Sequence, residues 1–381
     1  MSEARVNNLS NESNTGGPTI TGITTFSGTN FFVPPVGNTA QRPDNPQKGE
    51  LRFNTDSKHL EYFKGDTIGW SEVEATNEEL GGATGATGSG HRGVLMGGSP
   101  DNSNGSNIID YITISTLNNT QDFGDLTQAR KSTSVVSSRT RAICGGGPAP
   151  GATYNTLDYI TFSSTGDATD FGDFLNAKEN QAGCSSQIRG IWNGGYQGGA
   201  NNTIEYVTIA STGNGVDFGD TTVARSAPSG VSSSTRGIAG GGYNPGVSNV
   251  IDYVIFTTTG NSTDFGDLTV ARSNASSGSN STRGVFITGN TGATNMSNVI
   301  DYITMATAGN ATDFGDSLTS FWGGKGGMSS PTRIVYGGGL TPTVINTVEY
   351  IQIMTTGNAT DFGDASSLSQ RAATSNGHGG L

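Results

Sequence analysis

The chain has 381 residues, of which 59 are Gly and only 14% are charged; a disordered polyelectrolyte and a coiled coil are excluded, and Gly lacks the sustained triplet spacing of collagen. Twenty basic against 32 acidic residues give a net charge of −12 without any basic run, so the footprint needed to grip nucleic acid or an anionic membrane is missing. No apolar run approaches the ~18 residues of a spanning helix, Met1-Ser-Glu-Ala-Arg-Val does not read as a signal peptide, and two cysteines, Cys144 and Cys184, build no disulfide framework.

Residues 1–17 are polar and read as a flexible N-terminal arm. Thr19-Ile-Thr-Gly-Ile-Thr-Thr-Phe alternates like a strand. Gly49-Glu-Leu-Arg-Phe-Asn-Thr-Asp-Ser-Lys-His-Leu-Glu-Tyr-Phe-Lys-Gly predicts a β-hairpin turning at Asn54 to Lys58, with a third short strand around Trp70. So small a meander has too little core to stand alone. Residues 18–80 are therefore expected to form a β-rich attachment or oligomerisation module, followed by a Gly-rich linker over 81–91.

From Arg92 onward the sequence repeats. Asp-Phe-Gly-Asp occurs six times, starting at Asp122, Asp170, Asp217, Asp264, Asp313 and Asp361, at spacings of 48, 47, 47, 49 and 48. An acid–Tyr pair keeps step with it, at Asp110-Tyr111, Asp158-Tyr159, Glu205-Tyr206, Asp252-Tyr253, Asp301-Tyr302 and Glu349-Tyr350. An Asn lies three residues before each of those acids, and an Arg opens each unit: Arg92, Arg141, Arg189, Arg236, Arg283 and Arg333. Each unit reads as four short strands. The first is an apolar run ending in Gly-Gly, the second carries the acid–Tyr pair, and the third runs from Asp-Phe-Gly-Asp to Ala-Arg. The fourth is a Ser/Gly/Ala stretch such as Ser273-Asn-Ala-Ser-Ser-Gly-Ser.

Four strands per ~48 residues predict an all-β chain whose residues 92–381 form a six-bladed β-propeller, its small-residue strands converging on the axis. The Gly-Gly, acid–aromatic and Arg marks resemble kelch-type repeats in architecture, although Phe of Asp-Phe-Gly-Asp stands where those repeats carry Trp. The last small-residue segment, Ala372-Ala-Thr-Ser-Asn-Gly-His-Gly-Gly, is expected to complete the blade that starts at Arg92 and so close the ring. The competing strand for that place is Ala83-Thr-Gly-Ala-Thr-Gly-Ser-Gly.

Residues repeated in every blade are expected to serve the blade. Phe123, Phe171, Phe218, Phe265, Phe314 and Phe362 should fill the space between blades, and the Gly that follows each should occupy a bulge closed to side chains. The opening arginines are expected to pair with an Asp of the neighbouring blade. Ca²⁺ held by the paired acids is a weaker alternative, so no metal or cofactor is expected. Asp-Phe-Gly also marks kinases, but without their Gly-rich loop, Lys strand and His-Arg-Asp that reading fails.

Function in a propeller tends to sit on variable loops at one face. The variable segments here follow Gly-Gly and are polar and small, with Tyr154, Tyr196 and Tyr243 among them. Together with the isolated Trp192 and Trp322, these are the candidate ligand-face residues; Tyr stacking with Asn and Ser hydrogen bonds would suit a glycan. His59, His91 and His378 lack metal-ligand spacing, and neither cysteine has a visible base. The acids follow the repeat rather than break it, so no catalytic pair stands out.

Gln41-Arg-Pro-Asp-Asn-Pro, Gly49-Glu-Leu-Arg-Phe-Asn-Thr-Asp, Leu60-Glu-Tyr-Phe-Lys-Gly and Trp70 resemble a module of tailed-phage structural proteins. With the Ile-Asp-Tyr-Ile-Thr and Thr-Asp-Phe-Gly-Asp repeats, nearly the whole chain is similar to virion structural proteins of marine cyanophages of the T4-like myovirus type. The resemblance implies a non-enzymatic virion component — tail fibre, baseplate or head appendage — made in the host cytoplasm and anchored by its N-terminal module. Implied partners are other virion proteins and host-surface polysaccharide, and by analogy a homo-oligomer such as a trimer. The alternatives are a glycan-active enzyme on a propeller scaffold and a cellular protein-interaction propeller.

Overall fold

A computed structural model describes residues 34–57, 59–67, 69–72, 91–292 and 295–381. The chain divides into two compact units, residues 1–78 and 79–381. The strand expected at Thr19–Phe26 and the competing strand at 83–90 lie outside the described residues.

In the first unit, Leu51–Asn54 and His59–Phe63 form the expected hairpin, and Trp70–Glu72 adds antiparallel to its second strand. Val36–Gly37 extends the sheet on the other side, parallel to Phe53–Asn54. The centre of this sheet is charged. Glu61 is fully buried and accepts from Arg42 Nε at 3.2 Å, Arg42 Nη2 at 2.5 Å and Asn54 Nδ2 at 3.1 Å. Arg52 Nε lies 3.4 Å from the same carboxylate, and both guanidiniums lie against the Trp70 ring. The bonds from Arg42, opposed by burial, hold the Glu61 carboxyl below the usual carboxylate range.

Among the described residues the second unit contains six larger sheets built on one antiparallel pattern, the first with Gly324–Lys325 added parallel to Arg371–Ala372, and two short two-stranded sheets. Sheet two is Ser134–Ser137, Arg141–Gly145, Thr156–Thr161 and Thr169–Asp173, paired in chain order. Sheets three, four and five repeat it from Ala182, Ser229 and Ser276. Sheet six runs from Met328–Ser329 to Thr360–Asp364. Sheet one joins the two ends of the unit: Arg371–Ser375 pairs with Arg92–Met96, which pairs with Ser106–Thr113 and then Gln121–Arg130. The last small-residue segment thus lies beside the first Arg strand, as its composition suggested.

Asp-Phe-Gly-Asp forms a bulge in every sheet. In sheet one Asp122 opposes Asp110 and Gly124 opposes Ile109, leaving Phe123 as the extra residue. Phe123 is thereby turned into the interior, edge-on to Tyr111 at 5.9 Å. It packs with Ile160, Phe162 and Ala168 of sheet two. The relation recurs around the unit, and Phe362 of sheet six packs with Ile112 and Ile114 of sheet one. The Gly that follows cannot be replaced. Gly124 has φ +145°, and a Cβ there would lie 2.5 Å from the Gly166 carbonyl of sheet two.

Adjacent sheets are tied by three recurring hydrogen bonds. At the inner edge, backbone N–H groups of Ser137, Ser185, Ser232, Ser279 and Ser329 donate to the hydroxyls of Ser185, Ser232, Ser279, Ser329 and Ser375. The Ser137 hydroxyl in turn donates to the Ser375 carbonyl at 2.9 Å. At the outer edge, the last Asp N–H of each Asp-Phe-Gly-Asp donates to a turn Asn of the next sheet, with Asp167 in the Asn role once. The third is made by the opening arginines: Arg92 stacks on Tyr111 and donates to the Phe162 carbonyl of sheet two. Arg333 does the same from sheet six, stacking on Tyr350 and donating to the Ile114 carbonyl of sheet one.

Two expectations are corrected. The third strand ends at the second Asp of Asp-Phe-Gly-Asp in sheets two to six and does not run on to Ala-Arg. The chain instead turns inward and carries the Ala-Arg residue into the next sheet. The opening arginines form no ion pair among the described residues. Their planar faces lie on Tyr and their edges meet carbonyl oxygens, while the acids of the acid–Tyr pairs are approached by other cations.

Candidate functional site

The missed cations lie eight residues after the first Asp of Asp-Phe-Gly-Asp. Arg130, Lys178, Arg225 and Arg272 each reach from one sheet to the buried acid of the next: Asp158 at 2.7 Å, Glu205 at 2.7 Å, Asp252, and Asp301 at 2.6 Å. In sheet one Arg371 serves Asp110 at 2.6 Å, two residues beyond the repeat position. Sheet six breaks the rule. Phe321 takes the cation's place and stacks on Tyr336. Glu349 then accepts from the Tyr336 hydroxyl at 3.0 Å, the Ser317 hydroxyl at 2.6 Å and the N–H groups of Leu318 and Thr319. Burial beside that carboxylate pushes the Tyr336 hydroxyl far above its usual range. The acids of the acid–Tyr pairs are thus each satisfied within the fold. The register of the cations was the signal that could have found them. Among the described residues, no three His, Cys, Asp or Glu side chains gather as a metal site would require.

The candidate ligand residues separate. Trp192 is 0% exposed. It lies edge-on to Phe174 at 4.9 Å and its indole N–H donates to the Ser134 carbonyl, so it is core and is removed from any ligand face. Tyr154 is half-buried, and its N–H closes a turn to the Gly147 carbonyl. Trp322 is half-buried beside Leu340. Tyr196 and Tyr243 stay 43% and 48% exposed on the turns that follow Gly-Gly in sheets three and four. Each is anchored through its backbone, to Glu179 and to Ser226 respectively.

A partly open cavity lies among the small-residue strands. Its walls are Ser134, Ser229, Ser277, Ser279, Gly230 and similar residues, and its lining holds no Asp, Glu, Lys or Arg. Gln181, 2% exposed, belongs to this wall, and neither its Nε2 nor its Oε1 has a hydrogen-bond partner. It lies beneath the turn that carries Tyr196, where a Cβ on Gly195 would come within 2.9 Å of its Cγ. His378 lines the other end of the cavity.

Cys144 and Cys184 are both buried, and burial raises the Cys144 thiol and pushes the Cys184 thiol up to about 12. No family model matches the chain, and no curated protein sequence matches it significantly.

Proposed function

We propose that residues 92–381 form a closed six-bladed, kelch-like β-propeller, and that the chain is a non-enzymatic phage virion structural protein. In this reading the N-terminal module anchors the chain to other virion proteins, and the propeller projects for virion assembly and for recognition of host-surface glycan. The observation that carries the propeller is the recurrence of each inter-sheet bond, including those from sheet six to sheet one. The non-enzymatic reading is supported by the acids. A repeated carboxylate neutralised inside the fold holds sheets together rather than meeting a substrate. Exposed Tyr196 and Tyr243, above an uncharged seryl cavity, support a glycan-facing surface. The virion assignment itself rests on the sequence resemblance.

The test is immunogold electron microscopy of purified particles, with antibody raised against residues 92–381. Label on tail or baseplate supports adsorption, and label over the head supports a head appendage. Absence of the protein from intact and denatured particles alike returns the chain to a cellular interaction propeller or a glycan-active enzyme.

A further inference from the structure

Four inner strands end at one rim. Ser137, Ser185, Ser232 and Ser279 close the small-residue strands of sheets two to five, and each pairs with the residue after an opening Arg. Residues 376–381 cross this rim. They continue the closing strand Arg371–Ser375 of sheet one, and the Asn376 side-chain carbonyl accepts from the Arg92 N–H at 2.8 Å. The Gly379 N–H donates to the Ser279 carbonyl of sheet five at 2.9 Å. His378 Nε2 donates to the Ser137 carbonyl of sheet two at 3.1 Å and lies 3.2 Å from the Ser185 hydroxyl of sheet three. The crossing needs glycine. A Cβ on Gly379 would strike the Asn280 and Ser232 carbonyls, and one on Gly380 the Ser185 carbonyl. Six residues therefore tie sheet one to the rims of sheets two, three and five.

This tie requires one protonation state of the imidazole. A carbonyl only accepts, so Nε2 carries the hydrogen; the Gly380 N–H donates to Nδ1 at 3.1 Å, so Nδ1 is bare. Protonation would put an N–H on Nδ1 facing the N–H of Gly380, and would bury a charge. The surroundings do not compensate it. Sheet two presents the Ser137 carbonyl and sheet three the Ser185 hydroxyl, while the neighbouring Cys184 thiol is turned to the Ile238 carbonyl. The cavity lining that includes His378 holds no Asp, Glu, Lys or Arg. On the side of sheet one the His91 ring lies against Gly377, a second base and not a counter-ion. Burial accordingly lowers His378 to about 4, against the Ser137 bond.

We propose that residues 376–381 are an acid-released strap across the rim of the inner strands, with His378 as its trigger. At neutral pH the strap holds the closing strand of sheet one to sheets two, three and five. As the pH falls from ~6.5 toward 4, the released form takes up the proton first, and the bound form weakens by about tenfold per pH unit. The strap needs neither the virion nor the glycan reading.

The experiment is hydrogen–deuterium exchange with mass spectrometry on the full chain between pH 7 and 4, corrected for intrinsic rates, following residues 371–381 in the parent, His378→Gln and His91→Gln. The amides of Gly379, Gly380 and Leu381 should be protected at pH 7. Their protection in the parent should fall by about tenfold per unit below pH ~6.5. Arg371–Ser375, paired with Arg92–Met96, should stay protected throughout, which separates strap release from global unfolding. His378→Gln keeps a donor for Ser137 and takes up no proton, so its strap should stay protected down to pH 4. His91→Gln should keep the parent's slope. Should His378→Gln release the strap already at pH 7, the parent's slope and its retention in His91→Gln decide. Strap amides unprotected at pH 7 in the parent, protection indifferent to pH, or a slope that survives in His378→Gln or vanishes in His91→Gln would each overturn the trigger.

Discussion

Arg272→Met tests the buried cation network most sharply. Arg272 and Asp301 are both 0% exposed, with Nη2 to Oδ2 at 2.6 Å. The guanidinium also donates to the Val299 carbonyl at 2.9 Å and the Phe286 carbonyl at 3.3 Å. Removing it leaves Asp301 with Thr269 as its donor, inside the protein. Breaking one partner of such a pair costs about 3–5 kcal/mol. For a cooperative unit of this size that is a fall of roughly 5–8 °C in Tm. The penalty also depends on pH in a defined direction. Burial already raises the Asp301 carboxyl, against the opposing pull of Arg272, and loss of the arginine raises it further. A carboxyl whose folded pKa lies above its unfolded value of ~3.9 binds more protons when folded, so stability falls as pH rises between those values. The variant should thus lose most at pH 7 and least near pH 4. Urea titrations of parent and variant at both pH values measure this, and Arg272→Met/Asp301→Leu should return to within about 1 kcal/mol of the parent. A single-variant loss below ~1 kcal/mol, or a loss indifferent to pH, would refute the role given to these pairs.

The bulge glycines give a second prediction. Gly219 has φ +145°, and a Cβ there would press on the Gly260 carbonyl of the next sheet, so Gly219→Ala should cost at least ~3 kcal/mol in chemical denaturation; a near-neutral result would show the sheets packed more loosely than described. Burial lowers His378 to about 4. With its folded pKa depressed, the unfolded chain takes up the proton first, so stability should drop by about 1–2 kcal/mol, after allowance for partial exposure, as pH falls from ~6.5 toward 4. His378→Gln should flatten that part of the profile, and an unchanged slope would count against the placement of residues 376–381. Buried Cys144 and Cys184 should resist a thiol reagent in the native protein and react in guanidinium; fast native labelling would contradict their burial.

Much of the architecture could be read from periodicity, because six copies of four marks fix where each strand starts. The burial of Phe123 and its counterparts, and the place of Gly124 in a bulge, followed from residue type. The cations did not. Arg130 ends the third strand of sheet one, a place that gives no hint of its ion pair with the next sheet, and Lys178 or Phe321 at the same register disguises the position. The roles of the two arginine sets were therefore exchanged: the conspicuous Arg92 series stacks on Tyr, and the less regular Arg130 series carries the ion pairs. Trp192 illustrates the opposite limit. A lone Trp among small residues looks like a ligand anchor, yet its strand position, opposite Gly183 and Glu205, turns it into the space beside Phe174. Gln181 could not be found from sequence, since Thr133, Pro228 and Ala275 at the matching positions hide any pattern.

The central claim is that the six sheets close on themselves through Arg371–Ser375. An experimental structure of the full chain, by crystallography or electron cryomicroscopy, tests it most directly. Closure predicts six sheets about one axis, with Arg371–Ser375 paired to Arg92–Met96 and the Ser137 hydroxyl on the Ser375 carbonyl. A gap between sheets six and one, or an open spiral in which residues 371–381 lie elsewhere, would contradict it.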